Sequence, residues 1–102
     1  MRVAGFDWDE GNQSKCLKHG VSVAAIESLF HGTIAVVPDP EHSKSEERFK
    51  AIGKTDRGRG IFVVFTFRIR RGKTFIRPIS ARYMHRKEMD QYEKETATLP
   101  KR

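Results

Sequence analysis

The chain has 102 residues, 37% of them hydrophobic and 32% charged, with seven Phe, one Trp and a formal net charge of +7. That length suits one domain with a modest core, and the charge content stays below what enforces disorder. It lacks any apolar run of about 18 residues, which excludes a transmembrane helix, and its single Cys16 can neither close an internal disulfide nor build a cysteine zinc site.

An acidic residue, Asp7, appears within the first seven positions, against the pattern of a secretory leader, so a reducing cytoplasm is the expected location. In chain order, Val3 to Trp8 alternates as a short strand. Asp9 offers an N-cap to a first helix that ends in Lys18-His19-Gly20, with cations in the last turn and Gly just past it. Ser22 caps a second helix, in which Ile26, Leu29 and Phe30 share one face, and Gly32 stops it.

Thr33 to Val37 is a β-branched strand closed by Pro38-Asp39-Pro40, and Glu41 to Glu46 reads as an exposed, loose segment. Glu47 to Gly53 alternates as a strand with one wet face. Ile61 to Arg68 is almost continuously apolar, the pattern of a central strand covered on both faces. Arg71-Gly72 makes the turn into its hairpin partner, Lys73 to Arg82. From Tyr83 to about Thr96 the pattern is helical, and residues 99–102 read as a frayed end. The expectation is an α+β fold of order β-α-α-β-β-β-β-α, an antiparallel sheet with two helices before it and one after, in a single domain over residues 1–98.

Charge is concentrated rather than scattered. Between Lys54 and Lys87 stand eleven Lys and Arg against the single Asp56, a net +10 that leaves −3 for the rest of the chain. So many gathered cations favour a polyanionic partner, although the same residues could simply form the solvated face of a hairpin. No Gly-rich phosphate loop, no His-x-x-x-His and no calcium-spaced aspartates occur, and the four histidines are far apart in sequence, so no metal or cofactor is expected.

Cationic and imidazole chemistry remains, and it suits a phosphodiester. Cleaving RNA without a metal needs a base for the 2′-OH, cations for the charge on phosphorus, and an acid for the leaving oxygen. Lys18 and His19 are candidates for moving protons, though both could merely complement a helix C-terminus. Glu47 and Arg48 follow as candidate base and phosphate ligand. As strand neighbours they point to opposite faces, and Arg48 shares its face with Lys50. Arg77 and Arg82 are five apart and oppose each other on an unbroken strand, unless a bulge at Pro78 breaks the parity. Arg82, at the strand end, is the favoured phosphate ligand. Arg57, Arg59, Arg77, His85 and Arg86 are expected to contact the RNA backbone, with His85 and Glu88 on one helix face.

Phe6-Asp7-Trp8-Asp9, Lys15-Cys16-Leu17-Lys18-His19-Gly20-Val21, Pro38-Asp39-Pro40-Glu41-His42-Ser43, Glu47-Arg48-Phe49, Ile52-Gly53 and Arg77-Pro78-Ile79-Ser80-Ala81-Arg82 occur in this order. Together they resemble the BrnT family of type II toxins, and the resemblance runs from about Phe6 to Tyr92. It implies a ribonuclease-like toxin of RelE-like fold that arrests growth by cleaving RNA. It also implies a BrnA-like antitoxin partner, operator DNA bound only through the antitoxin complex, and room for a dimer within that complex. By motif position it reaches Lys18, His19, Glu47, Arg48 and Arg82, and more weakly Arg77 and Glu88. The rival reading is a non-catalytic module in which the same arginines bind nucleic acid or an acidic partner without chemistry.

Overall fold

The computed structural model describes residues 3–55 and 57–97; the expected frayed end, residues 99–102, lies outside them. The elements are β1 (Gly5–Phe6), α1 (Glu10–Leu17), α2 (Val23–His31), β2 (Ile34–Pro38), a 3-10 turn (Pro40–His42), β3 (Phe49–Lys54), β4 (Gly60–Arg70), β5 (Lys73–Tyr83) and α3 (Arg86–Ala97).

Local chemistry sets the boundaries. Asp9 caps α1 reciprocally with Asn12: its carboxylate accepts the Asn12 N–H at 3.0 Å, and Asn12 Oδ1 accepts the Asp9 N–H at 2.7 Å. Gly20, at φ +79°, lets the chain leave α1 in the left-handed conformation. Ser22 Oγ accepts the Ala25 N–H at 3.1 Å and opens α2. Arg71 (φ 54°) and Gly72 (φ 76°) both take positive φ, as a two-residue type I′ hairpin turn requires.

The five strands lie in the order β1-β5-β4-β3-β2. β4 has a partner on each side, so it has no edge free for pairing across a dimer. The sheet is mixed rather than wholly antiparallel. β1 runs parallel to β5, with the Ala4 N–H donating to Thr74 O at 2.7 Å and the Asp7 N–H to Ile76 O at 2.8 Å. A parallel pair needs a long crossover, and everything from α1 to β4 supplies it. The segment after β2 is pinned rather than loose. Ser43 Oγ donates to Asp39 O at 2.7 Å and accepts the Arg48 N–H at 2.9 Å.

On one sheet face Ile61, Val63 and Phe65 of β4, Ala51 of β3, and Ile76 and Ala81 of β5 meet Ile26 and Leu29 of α2 and Cys16 of α1. Edge-on rings link Phe6 to Phe30, Phe30 to Phe65 and Phe65 to Phe67 across this core. Burial there pushes the Cys16 thiol up to about 11, so it remains a neutral, inert core residue. The opposite face carries Lys50 and Ile52 of β3, Phe62, Val64, Thr66 and Arg68 of β4, and their β5 partners. α3 covers only the end of it near Gly60, where the sulfurs of Met84 and Met89 come so close that any Cβ would collide, and where Lys54 pairs with Glu93 at 2.8 Å. Among the described residues, no helix is long and apolar enough to cross a membrane.

Candidate active site

The open face owes its chemistry to one irregularity. Val64 pairs with Ser80, but Phe65 pairs with Pro78, so Ile79 is an extra residue on β5. A bulge of this kind reverses side-chain parity along the strand. Arg82, opposite Phe62, and Arg77, opposite Thr66, therefore lie on the same face despite being five residues apart. Pro78 cannot donate to the ladder, which suits it to the bulge. Its carbonyl accepts a 2.8 Å bond from Asn12 Nδ2, whose other N–H goes to Asp7 O at 2.9 Å. A nearly buried Asn12 thus ties α1 to the irregular point of β5.

That tie carries the end of α1 to the open face. His19, just past the helix, lines a cleft of about 300 Å³ with Lys50, Phe62, Val64, Ser80 and Arg82, and Glu41 reaches it from the 3-10 turn. Phe62 forms a platform for two cations. The Arg82 guanidinium lies 4.5 Å and the Lys50 ammonium 5.3 Å from its ring centroid. Attraction to the ring offsets part of their mutual repulsion. An imidazole and two fixed cations around one hollow match the demands of phosphodiester cleavage.

The arginines of this face carry resident carboxylates. Glu88 of α3 grips Arg82 through both oxygens at 2.8 Å, and its Oε1 also accepts the His85 N–H at 2.9 Å. The Arg82 guanidinium, and next the His85 N–H, hold the Glu88 carboxyl down at about 2, against an ordinary 4.5. A depressed folded-state value means that the pair contributes stability above about pH 4.5 and loses it as pH falls toward 2. Melting temperature measured across that window should show a shallower acid limb for Glu88→Gln than for the parent. Superimposable limbs would show that the contact carries no weight. Both partners remain partly exposed, so the stabilisation is discounted for solvent screening.

Arg48 and Arg77 stand in an adjoining cleft with Lys15 and Arg68. Lys18 is the C-cap residue of α1 and is exposed outside both clefts. Glu47 is exposed as well; its backbone carbonyl accepts from Thr66 Oγ1 at 2.8 Å, and its side chain lies outside the His19 cleft. Arg57 and Arg59 line a separate hollow beside Ser22 and Tyr83, with Arg59 stacked 3.7 Å from the Tyr83 centroid. His85 and Arg86 are exposed at the start of α3. The structure thus brings His19 to Arg82 and Arg48 to Arg77, and leaves the other candidates dispersed. Sequence reasoning passed over Lys50, Ser80 and Glu41. Lys50 and Ser80 carried a signal, their shared parity with Arg48 and with Arg82.

No curated protein matches the chain. Residues 8–88, which include His19, both clefts' arginines and Glu88, match the family model described as the ribonuclease toxin BrnT of type II toxin–antitoxin systems. With most of its length inside that match, the chain belongs to the BrnT family of ribonuclease toxins, and such a toxin implies an antitoxin partner.

Proposed function

We propose that this chain is itself a metal-independent endoribonuclease of cytoplasmic RNA, with a RelE-like arrangement of helices on a largely antiparallel sheet. The supporting observation is the cleft that gathers His19, Lys50 and Arg82. His19 takes the proton from the 2′-OH, and the freed oxygen attacks phosphorus. Arg82 and Lys50 meet the charge gathered on the phosphoryl oxygens, and the 5′ oxygen leaves with a proton taken from water, while the proton on His19 returns to solvent. The products are a 2′,3′-cyclic phosphate and a 5′-OH. The guanidinium fork matches phosphate oxygens and stays charged at every working pH. The reading gives no reacting role to Lys18 or Glu47.

Release of Arg82 from Glu88 is part of the reading, because the fork cannot hold phosphate and carboxylate with the same N–H groups. A BrnA-like antitoxin silences the toxin by offering carboxylates to the same cations, and operator DNA is reached only through that complex.

The test is incubation of the purified protein with single-stranded RNA in EDTA, together with induction of the chain alone in a bacterial host. Cyclic-phosphate products and arrested growth are expected. Salt-dependent RNA binding with no product under any condition would instead leave a binding module.

A further inference from the structure

The adjoining cleft has features that the reaction does not use. It encloses about 500 Å³ and gathers four cations from four parts of the chain: Lys15 of α1, Arg48 just before β3, Arg68 of β4 and Arg77 of β5. Three acids, Asp9, Glu10 and Glu46, also line it. Glu46 bridges Arg68 at 2.5 Å and Arg48 at 3.4 Å, and Asp9 meets Arg77 at 2.9 Å. The Arg68 guanidinium, ahead of Arg48, holds the Glu46 carboxyl below its usual range.

Two donors exceed this internal pairing. Arg48 Nε is buried with no hydrogen-bond partner among the described residues, and a buried donor left unmade is costly. The Lys15 ammonium is exposed at the rim and makes no ion pair among the described residues. The cleft also lies in line with the reacting one. Arg82 stands opposite Phe62 and Arg77 opposite Thr66, four residues further along β4, about 13 Å at the rise of a strand. A short stretch of single-stranded RNA spans that distance.

We propose that this cleft is a second phosphodiester subsite, holding a backbone phosphate a short way along the same RNA strand from the scissile one. It rests on the reading of the His19 cleft as the place where RNA is cut. Lys15 and Arg48 supply donors to the phosphate, and Arg68 turns to it as Glu46 is displaced. Glu46 is the resident competitor that keeps the two guanidinium groups parked when no strand is bound.

The experiment measures binding of a fluorescent, uncleavable 2′-O-methyl RNA octamer over a range of salt. The proteins compared are the parent, Lys15→Ala, Arg68→Ala, Glu46→Gln and, as an equal-charge control on exposed α3, Lys94→Ala. Arg68→Ala should weaken binding about tenfold, and Lys15→Ala should lower the salt slope by about 0.7, the loss of one phosphate contact. Glu46→Gln should tighten binding, whereas a Glu46 that only braced the fold would weaken it. A Lys15→Ala effect no larger than that of Lys94→Ala, a Glu46→Gln protein that binds no tighter, or no measurable octamer binding overturns the subsite. Tighter binding of an oligo-glutamate peptide than of the octamer overturns it in favour of a protein partner. Failure of the cleavage reading looks different: unmodified RNA stays intact while these affinity shifts persist.

Discussion

Replacing His19 by Ala is expected to slow RNA cleavage by ~10²–10⁴-fold, the usual worth of one positioned proton-transfer group. Stability should stay within about 0.5 kcal/mol of the parent, because His19 is exposed and the bond from its backbone N–H to Cys16 O survives the change. Arg82→Ala should cost ~10²–10³-fold by removing a phosphoryl clamp, and Arg82→Lys should recover only part of it, since an ammonium lacks the planar fork. The two losses differ in kind. Without His19 the rate falls at saturating RNA while affinity holds; without Arg82 both fall. Single-turnover cleavage beside octamer binding separates them, and a His19→Ala protein that cuts at the parental rate would remove the imidazole from the mechanism.

The largest structural effect is expected far from any cation. Asn12→Ala removes the acceptor for the Asp9 N–H and both Nδ2 bonds, to Asp7 O and to Pro78 O. Two carbonyls then lose a protein donor inside a nearly buried site, and α1 loses half of its reciprocal cap. The expected cost is about 2–4 kcal/mol, a fall of roughly 10–20 °C in Tm. The exposed neighbour Gln13→Ala should move Tm little. Cleavage measured below the transition should also drop, because the helix that carries His19 is no longer fastened to the strand that carries Arg82. A Tm change no larger than that of Gln13→Ala would mean that the fastening is ornamental.

Much of the architecture was legible because it is written in local chemistry. Asp9, Ser22 and Gly20 mark helix ends by capping and by positive φ, and Arg71-Gly72 marks a tight hairpin. Alternation assigned Arg48 and Lys50 to one side and kept Glu47 from their company. What was not legible depends on contacts distant in sequence. Two residues of β1 hold no record of direction, so their parallel pairing with β5 emerges only from the crossover. Pro78 hinted at a bulge, but its placement, and with it the common side of Arg77 and Arg82, goes with an amide donated from Asn12, 66 positions away. The grip of Glu88 on Arg82 joins a strand to a helix across a turn whose geometry the sequence does not spell out. Arg57 and Arg59, members of the basic run in sequence, are carried away by the connection between β3 and β4.

The extra residue gives β5 slack in chain length at one point. Deleting Ile79 would leave Ser80 and Pro78 adjacent, opposite the adjacent Val64 and Phe65, and the ladder would run uninterrupted. Arg77 would stay opposite Thr66 and Arg82 opposite Phe62, with Ile76 still against the apolar interior. The strand can thus lose that isoleucine without turning over either the interior or the nucleic-acid side, because the residue has no opposite number to abandon.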